Sequence, residues 1–217
     1  SVSLSDDGTI IAVGAIGNDG NGNNSGHVRV FQSISGVWTQ IGSDIDGEAA
    51  NDNFGHSLSL SANGTILAVG APENDGNGNN SGHVRVYQNI SGTWTQIGSD
   101  IDGESDHDLF GTSVTLSSDG SILAIGAPYN DGNGTSSGHV RVYENVSGVW
   151  TQIGSDIDGD YYDHFGASVS LSSDGSKLAV GSIHAPTNWF GSVRIFENIS
   201  GTWTQIGAEL SGNSSDE

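Results

Sequence analysis

The sequence predicts an all-β fold, a β-propeller of four antiparallel four-stranded blades of about 55 residues each. Three observations predict it. The phrase "GxWTQIG" recurs with its tryptophan at Trp38, Trp94, Trp150 and Trp203, at spacings of 56, 56 and 53 residues. Hydrophobic residues alternate with period two or run continuously over six to eight positions, and no stretch keeps a 3.6-residue period. Turn formers punctuate these runs at fixed offsets, with 34 glycines and only 3 prolines in 217 residues.

Each element follows from its own stretch of sequence. In the second repeat, "HSLSLS" (56–61) alternates and reads as a half-buried strand. "TILAVGAP" (65–72) is apolar throughout, as a strand covered on both faces must be. "GHVRVYQN" (82–89) alternates again, and "GTWTQIGSDI" (92–101) is the fourth strand. Asn63-Gly64 between the first two strands predicts a type I′ hairpin, and Ser91-Gly92 links the third and fourth in the same way. A long Asn-Gly loop joins the second strand to the third; "NDGNGNNSGHVRV" stands unchanged at 18–30 and 74–86, with "NDGNGTSSGHVRV" from Asn130. The repeats run approximately 1–53, 54–109, 110–164 and 165–217, as one domain. One tryptophan per blade predicts inter-blade packing by Trp38, Trp94, Trp150 and Trp203.

Net charge is −21, with Lys177 and four arginines as the only basic side chains. Such a chain repels nucleic acid and anionic membrane and attracts cations. No apolar run approaches the length of a membrane span. With no cysteine, disulfides and thiolate metal sites are excluded.

Phe54-Gly55 … Gly70-Ala71-Pro72 and Phe110-Gly111 … Gly126-Ala127-Pro128 resemble the FG-GAP repeat of integrin α-subunit propellers and many extracellular proteins. The fourth copy keeps Phe165-Gly166 but reads Gly181-Ser182-Ile183, and the first has Gly14-Ala15-Ile16. The resemblance implies an extracellular or cell-surface propeller serving adhesion or assembly, often with calcium, in a ring that is usually seven-bladed. The blades here would form either a closed four-bladed ring or part of a larger one. Integrin-type repeats carry an Asp-rich calcium loop between their first two strands; "SANGT" and "SSDGS" stand there instead.

Calcium wants six to eight oxygens. Two sets of residues offer them: Asp19, Asn21, Asp75, Asn77, Asp131 and Asn133 of the Asn-Gly loops, and Asp44, Asp46, Asp100, Asp102, Asp156 and Asp158 of the Asp-Ile-Asp segments. The alternative for the loops is an Asx-turn network in which Asn and Asp bond their own backbone. Arg29, Arg85, Arg141 and Arg194 share one strand position and are expected to pair with a blade carboxylate, such as the Asp two before the Phe: Asp52, Asp108 and Asp163. His27, His83 and His139 recur on separate blades, where they do not converge.

Asn-x-Ser/Thr sequons occur at Asn23, Asn63, Asn79, Asn89, Asn133, Asn145, Asn198 and Asn213, several in register, and predict N-glycosylation. Repeat four breaks the symmetry, and Trp189 and Phe190, with Tyr161 and Tyr162 before them, are candidate contacts for a carbohydrate or protein ligand. Near-perfect repetition argues against a catalytic site, which gathers unlike residues in one place. The expected function is a non-catalytic adhesion or filament-forming propeller, with a lectin-like propeller as the alternative. Expected partners are other copies of itself or extracellular proteins and glycans, because the first and last repeats are complementary in phase.

Overall fold

The computed structural model describes residues 1–184 and 190–212. Among the described residues there is no helix, and four antiparallel sheets follow one another along the chain. The first holds β1 (Val2–Leu4), β2 (Ile10–Ala15), β3 (His27–Ile34) and β4 (Val37–Gln40), with β5 (Ile45–Asp46) beside the start of β3. The second repeats this with β6 (Ser57–Leu60), β7 (Ile66–Ala71), β8 (His83–Ile90), β9 (Thr93–Gln96) and β10 (Ile101–Asp102). The third holds β11 (Ser113–Leu116), β12 (Ile122–Ala127), β13 (His139–Val146), β14 (Val149–Gln152) and β15 (Ile157–Asp158). The fourth holds β16 (Phe165–Leu171), β17 (Lys177–Ser182), β18 (Ser192–Ile199), β19 (Thr202–Gln205) and β20 (Leu210–Ser211).

The apolar run predicted to be covered on both faces is so: all six residues of β7 are buried. The single fourth strand is corrected to two. β9 pairs with Tyr87–Ile90 and β10 with His83 and Val84, because Gly98, at φ +79°, lifts the chain off the sheet between them. The Asn63-Gly64 turn is also corrected. Only Gly64 has positive φ, so the loop is a type I turn closed by a left-handed glycine, and Gly64 N–H donates to Ser61 C=O at 2.8 Å. Asn63 Oδ1 holds it by accepting from Ser61 Oγ, Thr65 N and Thr65 Oγ1. Ser91-Gly92 does form the two-residue hairpin, with φ of +53° and +87°.

Three buried clusters fill the spaces between successive sheets. Phe54, Phe110 and Phe165 are fully buried, each packed on the blade before its own, where its N–H donates to Ser25, Ser81 or Ser137 C=O. The glycines explain the close approach of the blades. A Cβ on Gly14, Gly70 or Gly126 would overlap the carbonyl oxygen of Gly55, Gly111 or Gly166 in the next blade. The signature Phe-Gly and Gly-Ala-Pro phrases are thus two sides of one contact.

The four sheets form an open arc. Leu60 and Leu116 are 8% and 7% exposed, whereas Leu4, at the same position of the first blade, is 53% exposed. At the other end Leu210 is 61% exposed, where Ile45, Ile101 and Ile157 are each 7%.

Candidate functional site

The Asn-Gly loop is built from side chains that bond backbone. Asn74 Oδ1 accepts from Gly76 N at 2.8 Å, and Asp75 Oδ1 accepts from Asn80 N at 2.7 Å. Asn77 Nδ2 donates to Gly103 C=O at 2.7 Å, and Asn21 and Asn133 do the same to Gly47 and Gly159. Asp19 and Asp131 accept from Asn24 N and Ser136 N. The loop therefore follows the Asx-network alternative. Its amides point donors, rather than carbonyl oxygens, toward the Asp-Ile-Asp segment.

That segment forms the charged centre of each blade. Arg85 is held between Asp100 of its own blade, at 2.7 Å, and Glu48 of the preceding one. Arg141 lies between Asp156 and Glu104 in the same manner, and Arg29 forks onto Asp44 at 2.8 and 3.0 Å. The hydrogen bonds from Arg29 and Gln40 lower Asp44 to about 2. Burial pushes Asp100 and Asp156 up, but the hydrogen bonds from Arg and Gln outweigh it and hold both below the usual carboxylate range.

The expected pairing of arginine with the Asp before Phe is corrected for three of the four. Asp52 and Asp108 accept instead from Asn74 and Asn130 Nδ2 at 3.1 and 2.9 Å, and from the backbone of Ala49 and Ser105. Only Arg194 bonds such an Asp, Asp163, at 2.8 Å.

His27, His83 and His139 sit beside these carboxylates, a placement that sequence reasoning missed. The readable signal was the two-residue offset from each Arg, which puts both side chains on one strand face. His83 Nδ1 is 3.9 Å from Glu48 and 3.8 Å from Asp100. Burial, reinforced by Arg85, pushes His83 down to about 4, and His139 likewise beside Arg141. In each of the first three blades one histidine and two carboxylates, such as Glu48, His83 and Asp100, have ligand atoms close enough to hold a metal ion. In the second and third blades a guanidinium already bridges the same carboxylates. Asp46, Asp102 and Asp158 stay exposed and form no ion pair with arginine, although Asp46 lies 3.9 Å from His27 Nδ1.

Grooves of about 450, 260 and 380 Å³ separate successive blades, each lined by one Asp-Ile-Asp segment and the tryptophan of the next blade. Trp94 and Trp150 brace the groove, their indole N–H donating to Ile41 and Ile97 C=O at 3.2 and 3.1 Å. Trp38, on the open face, is 48% exposed.

The expected turn position of three glycosylation candidates is corrected: Asn89, Asn145 and Asn198 stand in β8, β13 and β18, one residue before each strand ends, half-buried and paired across to a tryptophan. Asn89, Asn145 and Asn198 each turn Oδ1 inward to cap the hairpin, accepting from Gly92, Gly148 and Gly201 N. Asn23 and Asn79 are exposed. Asn133 uses its amide nitrogen inside the loop, and Asn213 lies outside the described residues.

Unlike residues gather at one place, where the third blade meets the fourth. His164 stacks edge-on against Tyr129 and His184, at centroid distances of 4.8 and 5.4 Å. Asp163 is buried, its Oδ2 on Arg194 and its Oδ1 without a hydrogen bond. The Oγ atoms of the cross-strand pair Ser182 and Ser192, Arg194 Nε and His164 Nδ1 are likewise buried and unbonded. Burial pushes the Asp163 carboxyl up. Ser192 stands where the other blades place histidine, so the ring that would fill this space is absent. Tyr161 and Tyr162 pack edge-on nearby in sequence, at 4.4 Å, and remain exposed; Trp189 lies outside the described residues.

Residues 44–87 and 99–143 match the FG-GAP repeat family model. No curated protein sequence matches the chain. Among solved structures, putative 6-phosphogluconolactonases from Bacteroides uniformis and Bacteroides fragilis are similar at 15% and 16% identity, each with a TM-score of 0.64 over 97% of this chain. The chain spans 54% of the length of either. The periplasmic gluconolactonase of Pseudomonas aeruginosa is similar at 15% identity and a TM-score of 0.51, covering 96% of this chain and 69% of that one. At such identity the likeness shows the fold alone. It corrects the expectation of a non-catalytic chain: neighbours of the same fold carry enzyme names, and the Asp163 cluster shows that repetition here is not unbroken. The family signature in the two inner repeats and its reproduction in sheet geometry on either side identify the chain as a β-propeller of FG-GAP repeats.

Proposed function

We propose that the chain is an extracellular adhesion module that binds glycans in its inter-blade grooves. The observation carrying this is the groove itself, which occurs three times with the same acid pair and the same tryptophan. A sugar ring stacks on an indole face while its hydroxyls donate to carboxylates, and weak sites repeated on one rigid body gain strength by avidity. Calcium is the cation this reading favours, held through Asp46, Asp102 and Asp158, which form no ion pair with arginine. N-linked sugar at Asn89, Asn145 and Asn198 would sit at the strand ends next to the hairpins. FG-GAP repeats are typical of extracellular proteins, and no described helix is long and apolar enough to cross a membrane. The test is a glycan array with calcium and then with chelator. Retention of a glycan class, lost in Trp94→Phe/Trp150→Phe/Trp203→Phe, supports the reading; an array blank in both conditions overturns it.

A second reading is favoured by the unbonded polar atoms around Asp163. They suit a small polyhydroxylated ligand, and the neighbours' names point to a sugar-acid lactone. Lactone hydrolysis by the chain, abolished in Asp163→Asn, would establish it. Hydrolysis no faster than the buffer rate, with no ligand-induced shift in thermal stability, would remove it.

A further inference from the structure

We infer that the second and third blades each hold a transition-metal site, one on Glu48, His83 and Asp100 and one on Glu104, His139 and Asp156, taking a zinc-like divalent cation through one imidazole nitrogen and two carboxylate oxygens. This holds whichever ligand the grooves take, and it does not use the exposed Asp46, Asp102 and Asp158 as ligands. Each set spans two blades. The histidine and the aspartate stand on one blade, and the glutamate comes from the blade before it.

The histidines are the observation that asks for a ligand. Their side chains are 1% exposed. Nε2 of each is buried without a hydrogen bond. Nδ1 makes none either among the described residues, and it faces two acids. His83 Nδ1 is 3.9 Å from Glu48 Oε1 and 3.8 Å from Asp100 Oδ2; His139 Nδ1 is 3.9 Å from Glu104 Oε1 and 3.8 Å from Asp156 Oδ2. A direct N–H···O bond needs about 3.2 Å or less. A water between the two atoms, at ordinary hydrogen-bond lengths, sets them about 4.5 Å apart. A tetrahedral cation with bonds of about 2.0–2.2 Å sets them about 3.4 Å apart. The observed spacing is nearest to the last, and a side-chain shift of about half an ångström closes it.

The guanidinium beside each set orients the acids and leaves the required lone pairs free. Arg85 donates from Nη2 to Glu48 Oε2 and from Nε to Asp100 Oδ1, which also accepts from Gln96 Nε2. The two oxygens nearest the imidazole accept one bond each: Glu48 Oε1 from Asn74 Nδ2 at 3.0 Å, and Asp100 Oδ2 from Arg85 Nη2 at 2.7 Å. A carboxylate oxygen has two lone pairs, so one is left on each, aimed with that of Nδ1 at a common point. Arg141, Gln152 and Asn130 repeat the arrangement in the third blade. Outer donors of this kind fix ligand orientation in metal sites. The charges agree. Asp102 is paired across the sheet from His83, so Glu48, Asp100 and Asp102 stand around a single guanidinium. Two negative charges remain for a divalent cation to balance. The glutamate and aspartate side chains are 44% and 28% exposed, which gives the cation a way in.

The donor set selects the cation. Calcium takes oxygen ligands, whereas one imidazole with two carboxylates suits zinc, cobalt, nickel or copper. The other blades differ at the same place. The fourth has Ser192 for the histidine, and its Arg194 turns to Asp163. The first gathers His27 with Asp44 and Asp46 of its own blade, a set without the glutamate.

The experiment is calorimetric titration of the metal-stripped full chain with zinc, and visible absorption with cobalt(II), folding being checked by circular dichroism. The parent should show the cobalt bands of tetrahedral nitrogen and oxygen ligation, removed by excess zinc. His83→Leu and His139→Leu should each bind one equivalent of zinc fewer than the parent, and the double variant two fewer. Glu48→Gln/Glu104→Gln keeps both rings and should weaken zinc about tenfold or more; it decides the matter if the leucine variants do not fold. Asp102→Asn/Asp158→Asn should keep both equivalents. A parent that binds neither metal at concentrations on the order of 100 micromolar overturns the inference. So does a folded double histidine variant, or a folded glutamine variant, that binds zinc as the parent does. Loss of zinc in Asp102→Asn/Asp158→Asn alone moves the cation to the exposed acids and overturns this assignment. Glycan retention in calcium is a separate readout, so either reading can fail while the other stands.

Discussion

At the scale of the residue, the contact between signature glycines is the least forgiving feature of the fold. Gly70 and Gly126 have a backbone carbonyl of the next blade where a Cβ would go, so Gly126→Ala must push two blades apart. Overpacking of this kind costs about 3 kcal/mol. At Gly181 the nearest atom is instead the Ser168 hydroxyl, which can rotate away, so Gly181→Ala should cost less than about 1 kcal/mol. Urea denaturation of the two variants side by side checks the contrast. The buried histidines set a pH dependence. His83 and His139 fall from 6.5 to about 4 on folding, so the unfolded chain binds more protons between those values. Stability is therefore full above pH 6.5 and is lost as pH falls toward 4, by at most about 3 kcal/mol per histidine. Burial raises Asp52, Asp108 and Asp163, which pulls the other way over the lower part of the window. In chelator, the fall in melting temperature from pH 7 to pH 5 should shrink in His83→Leu/His139→Leu. An unchanged slope would mean the histidines are not the titrating groups.

At the scale of the element, the Asn-Gly loop works as a clasp between blades. Asn74 and Asn130 each join their loop to an acid of the preceding blade. Asn130→Ala removes a donor to Asp108, a buried carboxylate left with its backbone bond alone, and is expected to cost about 1–3 kcal/mol. Asn23→Ala, on an exposed side chain of the same loop type, should be neutral within about 0.5 kcal/mol. Thermal unfolding of both variants tests the comparison. The strands and hairpins were legible because alternation and Ser-Gly turns act locally. The Asn63-Gly64 turn was misread because Asn63 serves as an Asx acceptor with ordinary φ, which the dipeptide alone does not reveal. The acid partners of Arg85 and Arg141 were not legible either. Glu48 and Glu104 lie 37 residues away on another blade, and only the three-dimensional stacking brings them within reach. The Asp163 cluster was visible as a break in the repeat, but the atoms it leaves unbonded were not.

At the scale of the whole molecule, stability comes from nearest-neighbour interfaces, as in other stacked repeats. The inner blades have two such interfaces and the end blades one, so opening should start at the ends. Hydrogen exchange of these 217 residues should find β7, β8, β12 and β13 slowest, with β1 and β20 exchanging early. Equal protection of all four sheets would contradict this account.

The phenylalanine that opens the second, third and fourth repeats is buried against the blade made by the repeat before it. The unit of inheritance and the unit of architecture are therefore offset by a few residues. A duplication or deletion of one repeat length, wherever in the repeat the break falls, carries half of one blade and the matching half of its neighbour. Every junction so created is one the protein already knows how to pack. The gene can lengthen or shorten by whole repeats through ordinary misaligned recombination, and each product arrives with its interior contacts intact.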